Sequence, residues 1–208
     1  VIQEAENIRM GKVTFEDEEM EETTDFSDLL HDCRELWMVT QDDTAPMGDR
    51  DEAVAQLIRK AESGDPDAQY LVGRLYRDGP VLIPDSVEAQ YWFDQAAWQG
   101  MVAAQYALGQ LYLTDDAEVH DTELGIQWLE YAAHHGSDCA AYRLGKEYLK
   151  GEIVERDSAK AQEYLTQSAK PGNQFGQYAL GKLYLGRQNQ TQAHYWFSQS
   201  AAQGNEYA

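Results

Sequence analysis

The chain repeats one short segment at a fixed interval of 36 residues. The segment AQYALGQLY, which begins at Ala104, returns as GQYALGKLY at Gly176, and related segments begin at Ala68 and Ala140. A second segment type follows each of these, beginning at Ala89, Gly125, Ala161 and Ala193, so that the last interval is 32 residues. Such an array constrains the fold strongly, because every unit must pack against a neighbour of the same shape.

Both segment types carry the periodicity of an amphipathic α-helix. The recurring apolar positions of the first type, helix A, are Ala68, Val72, Leu75 and Tyr76 in the first repeat. Those of the second type, helix B, are Ala89, Trp92, Phe93, Ala96 and Ala97. Every helix B follows a potential N-cap residue, namely Asp85, Asp121, Asp157 or Asn189. Every helix B ends at a glycine that can adopt a left-handed conformation, namely Gly100, Gly136, Gly172 or Gly204. Each unit is therefore predicted to be a helical hairpin.

A glycine interrupts the middle of every helix A, at Gly73, Gly109, Gly145 and Gly181. Each should destabilise its helix by about 0.8–1 kcal/mol relative to alanine. We expect close packing to compensate, with the ring of Trp92 lying over Gly73. The helix B residues Trp92, Trp128, Tyr164 and Trp196 are accordingly predicted to be largely buried within their own hairpins.

These patterns predict an all-α fold, a right-handed α-solenoid of stacked antiparallel helix pairs. Four repeats cover residues 65–100, 101–136, 137–172 and 173–204, and residues 205–208 begin a further truncated unit. Residues 25–64 are predicted to form an N-terminal capping helix pair, with helices over 26–40 and 53–64. Asp49 and Glu52 are expected to form a capping box before the second helix. Residues 1–24, which contain EDEEMEE and few apolar anchors, are predicted to be mobile.

The combination A-x-x-x-L-G-x-x-Y, a loop ending in Asp, and A-x-x-W-F/L-x-x-A-A-x-x-G resembles the Sel-1-like repeat family. The resemblance covers residues 53–204. This family is a relative of the tetratricopeptide repeat, in which helix A lines the concave surface of the solenoid. The resemblance implies a scaffold that binds other proteins.

Two stretches also resemble arrays near the C-terminus of relaxases from Gram-positive conjugative elements. They are AAYRLGKEYLKGE from Ala140 and SAAQGNEYA from Ser200. This resemblance implies an accessory segment that holds a DNA mobilisation complex together. Any nicking activity would then lie outside this chain.

The formal charge of −21 excludes two classes of partner. Nucleic-acid binding and polybasic contact with anionic lipid both need clustered Lys and Arg. No apolar run approaches the roughly 18–20 residues that span a bilayer, so the chain is predicted to be soluble. Cys33 and Cys139 show no disulfide-like or metal-like spacing, which favours a reducing compartment and hence the cytoplasm.

No residue pattern points to catalysis or to a cofactor. His134 and His135 are adjacent on a helix and lack a third metal ligand, so a solvent-facing helix end is the preferred interpretation. Cys139 has no base beside it in sequence and is read as a packing or surface thiol. EDEEMEE lacks the spacing of an EF-hand loop. The chain is therefore predicted to be neither an enzyme nor a metalloprotein.

The variable positions of helix A are the candidate binding surface, because they differ between repeats on one helical face. They include five Lys or Arg among sixteen positions. The candidate partner-binding residues are Asp67, Leu71, Arg74, Asp78, Gln110, Arg143, Lys146, Lys150, Phe175 and Lys182. Solvated surface charge is one interpretation of this set, and a basic groove in an acidic protein is the other. The second predicts that an acidic peptide, either from a partner or the chain's own EDEEMEE segment, binds there.

Overall fold

A computed structural model describes residues 31–116 and 118–205, which form ten α-helices and no strand. The helices are α1 His31–Gln41, α2 Met47–Glu62, α3 Pro66–Asp78, α4 Ser86–Trp98, α5 Val102–Tyr112, α6 Thr122–His134, α7 Asp138–Lys150, α8 Ser158–Ala169, α9 Gln174–Gly186 and α10 Gln190–Ala201. The predicted all-α solenoid class is confirmed. The acidic segment 1–24 and the last residues, 206–208, lie outside the described residues.

The described chain divides into two units, each with its own packing. In the N-terminal unit, up to His135, each of α1 to α6 packs on the next, around buried Leu57, Leu71 and Leu108. In the C-terminal unit, from Gly136, each of α7 to α10 packs on the next. Leu165 and Leu180 are fully buried there. In both units consecutive helices form the hairpins that the repeat predicts.

The residue before each helix B caps it, as predicted, and it also closes the hairpin, which was not predicted. Asp85 accepts hydrogen bonds from the backbone N–H groups of Val87 and Glu88 through its side chain. Its own N–H donates to the carbonyl of Tyr76, at the end of the preceding helix, over 2.8 Å. The same backbone bond joins Asp121 to Tyr112 at 2.9 Å, Asp157 to Tyr148 at 3.0 Å and Asn189 to Tyr184 at 2.9 Å. The closure therefore depends on main-chain atoms at both ends.

The predicted capping box before α2 is wrong. The helix begins at Met47, and Pro46 occupies the N-cap position without a side-chain cap. The Asp49 N–H donates to the Pro46 carbonyl at 3.0 Å, so Asp49 lies inside the first turn rather than before it. The fixed φ of proline is compatible with this earlier start.

The helix B side chain that packs over each helix A glycine is also different from the one predicted. A Cβ atom built on Gly73 would lie 2.6 Å from Cδ1 of Phe93, which is fully buried, whereas Trp92 is only partly buried. Gly109, Gly145 and Gly181 face Leu129, Leu165 and Phe197 in the same way. Adjacent helical residues point about 100° apart. The residue after the tryptophan therefore points at helix A, and Trp92, Trp128 and Trp196 are only partly buried.

A buried glutamine, which the sequence analysis missed, ties consecutive helices together. Gln69 Nε2 donates to the Ala61 carbonyl at 3.1 Å, and Gln69 Oε1 accepts from Gln99 Nε2 at 2.7 Å. Gln177 repeats the arrangement with Ala169 at 3.2 Å and Gln203 at 2.8 Å. Every polar atom of these two amides that enters the core is thereby satisfied by the protein.

Gln105 makes only the first half of this arrangement. Its Nε2 donates to the Ala97 carbonyl at 3.3 Å. Its buried Oε1 has no hydrogen-bond partner within the described residues. His135 occupies the position that Gln99 holds in the preceding repeat, and its Nδ1 lies 2.7 Å from the Tyr131 carbonyl instead.

Replacing His135 by glutamine should raise the free energy of unfolding by about 1 kcal/mol, since an unsatisfied buried acceptor gains a donor. Urea denaturation of the full chain measures the change. The reciprocal variant, Gln99→His, should lower stability by a similar amount. If His135→Gln were no more stable than the native chain, the side-chain Oε1 of Gln105 would have to be satisfied in another way.

Candidate functional site

The predicted binding residues of the C-terminal unit lie on two helices. Arg143, Lys146 and Lys150 lie on α7, and Phe175 and Lys182 lie on α9. We refer to these five residues as the helix A surface. The rings of Phe175 and Tyr142 connect the two helices, with centroids 6.0 Å apart.

A tyrosine lies one helical turn before the variable position in every repeat. Lys146 Nζ lies 5.5 Å from the centroid of the Tyr142 ring, and Lys182 Nζ lies 5.3 Å from that of Tyr178. These distances are typical of cation–π contacts. In the second repeat the amide of Gln110 donates to the hydroxyl of Tyr106 at 2.8 Å. The repeated tyrosines thus position the variable side chains as well as packing between helices.

Two of the predicted cations contribute less charge to the surface than their number indicates. Arg143 Nε donates to Glu147 Oε1 at 2.7 Å, and the Glu147 side chain is only 6% exposed. Lys146 is itself buried, with 7% of its surface exposed. Lys150, Lys182 and Phe175 are half-buried and remain accessible. Glu147 was missed from the sequence, although its i+4 spacing from Arg143 is the usual spacing of a helical ion pair.

The predicted residues of the N-terminal unit contact other groups of their own unit. Leu71 is fully buried in the core and has no area to offer a partner. The Arg74 guanidinium lies 4.9 Å above the ring of Trp37 of α1. Asp78 pairs with Arg77 at 3.1 Å, and the Asp67 N–H donates to the Asp65 side chain at 3.0 Å.

The cysteines and the possible metal ligands are the side chains that could take part in catalysis or metal binding. Cys33 and Cys139 are not joined in a disulfide. Burial, and then the nearby carboxylates of Asp65 and Asp32, raise the pKa of the Cys33 thiol to about 12, so it is un-ionised at neutral pH. Across residues 31–116 and 118–205 there is no cluster of three metal-ligating side chains, and none of the helices is long and apolar enough to cross a bilayer.

Four consecutive stretches match the Sel1 repeat family, at residues 66–101, 102–137, 140–173 and 174–205. Among solved structures, the chain is similar to c5321, a protective antigen present in uropathogenic Escherichia coli strains that displays an SLR fold. The identity is 33% and the TM-score 0.68, over 73% of this chain and 33% of that one. It is also similar to a Sel1 repeat protein from Oxalobacter formigenes, with 31% identity and a TM-score of 0.66, over 74% of this chain and 46% of that one. The chain therefore spans less than half the length of either protein. No curated protein matches it.

Proposed function

Because the chain belongs to the Sel1 repeat family, we propose that it is a non-enzymatic scaffold that binds an acidic segment of a partner on its helix A surface. Proteins of this family generally act as protein–protein interaction scaffolds. The observation that carries the finer proposal is that two accessible lysines, Lys150 and Lys182, lie on α7 and α9, which the rings of Tyr142 and Phe175 connect. In a protein of net charge −21, such a pair of lysines is a local exception.

The chemistry of this surface fits a segment with carboxylates around an apolar side chain. Lys150 and Lys182 would attract the carboxylates, and Phe175 would provide an apolar contact. Single exposed ion pairs contribute only about 0–1 kcal/mol, so affinity requires several contacts at once. Such binding must weaken as salt is added, because exposed charges are screened beyond about 10 Å at 0.1 M.

The double variant Lys150→Glu, Lys182→Glu should bind an EDEEMEE peptide about tenfold more weakly than the native chain, with a smaller salt dependence. Isothermal titration calorimetry at two salt concentrations measures both effects. The control is Arg156→Glu, Lys170→Glu, which makes the same charge change at two exposed positions of the same unit. Equal weakening in both double variants would mean that only net charge matters and would contradict a site on the helix A surface.

The chain's own EDEEMEE segment, residues 16–22, is a tethered candidate for the same surface. A tethered ligand competes at high effective concentration. Deleting residues 1–24 should then strengthen binding of the added peptide. Unchanged affinity after the deletion would show that the EDEEMEE segment does not occupy the helix A surface. A partner would then be the remaining source of an acidic ligand.

A second candidate role, the accessory segment of a conjugation relaxase, rests on the resemblance of AAYRLGKEYLKGE. In that role the same surface would hold other proteins of the complex without contacting DNA. The complete coding sequence tests this, since a histidine-rich nicking domain upstream would be required. Two cysteines that are not joined in a disulfide are compatible with the cytoplasm in either role.

A further inference from the structure

The N-terminal unit carries an exposed aromatic surface on its two helix B elements. Trp98, at the end of α4, is 77% exposed, and Tyr131 of α6 is 49% exposed. The partly buried Trp128 lies between them. Its ring is 5.9 Å from that of Trp98 and 5.8 Å from that of Tyr131, at interplanar angles of 83° and 86°. We refer to these three residues as the aromatic surface.

Trp98 exposes most of its ring to solvent, and Tyr131 exposes about half of its surface, with the His135 ring 4.2 Å from its own. Trp98 and Tyr131 each contact Trp128 edge to face, so the three rings do not form a parallel stack. Packing in the core does not account for the exposure of Trp98, because little of its surface touches the protein. Exposed tryptophan and tyrosine are the residues most often found at the energetic centre of protein interfaces.

The sequence around this surface contains no Lys or Arg, and its basic residues are the histidines His120, His134 and His135. Between Arg77 and Arg143 there is no Lys or Arg, whereas eleven Asp or Glu occur. Both helices that carry the aromatic surface lie within this stretch. A ring face attracts cations through its quadrupole, most strongly for tryptophan. The acidic residues and the aromatic rings therefore both favour a cationic ligand.

A carboxylate one helical turn before Trp98 adds to this preference. Asp94 is half-buried, and burial raises the pKa of its carboxyl above the ordinary value. Among the residues that the structure describes, Asp94 has neither a hydrogen-bond partner nor an ion pair. A partly desolvated carboxylate without a partner is costly, and an incoming cation would relieve that cost.

We propose that the aromatic surface, with Asp94, binds a Lys- or Arg-bearing segment of a partner protein. An Arg or Lys side chain would lie over the ring of Trp98 and pair with the Asp94 carboxylate. This inference extends the proposed scaffold function to a second surface, on the other unit and with the opposite charge preference. The two surfaces are tested by different residues and different peptides, so one can fail without the other.

The probe is a nonapeptide in which Lys and Arg alternate with Gly, titrated onto the full chain by calorimetry. A second peptide carries Gln in place of each Lys and Arg. We expect the cationic peptide to bind to the native chain. Trp98→Ala should raise the Kd of this peptide about tenfold, as the loss of an interface anchor does. Asp94→Asn should weaken it severalfold and lower the salt dependence.

The controls separate the site from the general acidity of the chain. Tyr91→Ala removes a 53% exposed ring from the same helix, and Asp115→Asn removes an exposed carboxylate from the same unit. Both should leave Kd nearly unchanged. If they weaken binding as much as Trp98→Ala and Asp94→Asn do, the peptide responds to bulk charge and the proposal is overturned.

Two other occupants would give different results. Equal affinity for the glutamine peptide would indicate an uncharged ligand and overturn the proposal. A concentration-dependent dimer in sedimentation equilibrium that disappears in Trp98→Ala would assign the surface to a second copy of the chain, with the same consequence. Trp98→Phe keeps a ring and should retain most of the affinity for the cationic peptide.

Discussion

Replacing Phe93 by alanine should lower the free energy of unfolding by about 3–5 kcal/mol, the usual range for emptying a buried aromatic site. Phe93 is fully buried, contacts the Tyr70 ring at a centroid distance of 5.9 Å and lies directly over Gly73. Urea denaturation followed by circular dichroism measures the loss.

The matched control is Tyr91→Ala, two residues earlier on the same helix and 53% exposed. Its effect should stay below about 1 kcal/mol, as for most surface substitutions. If Phe93→Ala were no more costly than Tyr91→Ala, the packing of α4 on α3 would have to be different from that described.

Replacing Gly73 by alanine should have opposite effects in two backgrounds. In the native chain the new Cβ would meet the buried Phe93 ring at 2.6 Å, and overpacking of this kind costs about 1–3 kcal/mol. In a Phe93→Ala background the ring is gone, and alanine should stabilise the helix by up to about 1 kcal/mol through its better helix propensity. The coupling between the two sites is obtained from a double-mutant cycle.

Gly48→Ala provides the control for helix propensity alone. A Cβ atom at Gly48 would meet nothing within 4 Å, so this change should be neutral or stabilising in either background. A destabilising effect of Gly73→Ala that persists without the Phe93 ring would mean that the glycine is required for another reason.

The sequence predicted the helical hairpins because the repeat samples the same pattern four times. The residues Asp85 and Asn189 cap their helices as expected, and the class of fold follows from the 36-residue interval. The face of helix B was assigned one residue too early. Trp92 and Phe93 are adjacent and both apolar, so periodicity alone could not decide which of them points at Gly73.

The candidate surface was predicted less well, because its character depends on contacts between residues. Helical spacing placed Arg143 and Lys146 on one face. It could not predict that Lys146 is almost completely buried or that Arg143 pairs with Glu147. The role of Gln69 was missed for a related reason. Its partners, the Ala61 carbonyl and the Gln99 amide, lie on other helices, and a polar residue inside an apolar stripe gives no sign of them.

The backbone bond that closes each hairpin has a consequence for how such a chain can evolve. The bond from Asp85 to Tyr76 bridges a nine-residue step, whereas the one from Asn189 to Tyr184 bridges five, at nearly the same N···O distance. Insertions and deletions between the tyrosine and the capping residue are therefore compatible with the backbone hydrogen bond that closes the helix pair. Loops of this kind tolerate changes in length far better than packed helices do. The segment between the tyrosine and the cap is thus where one member of a lineage can acquire a new recognition loop while the stacking of its repeats is inherited unchanged.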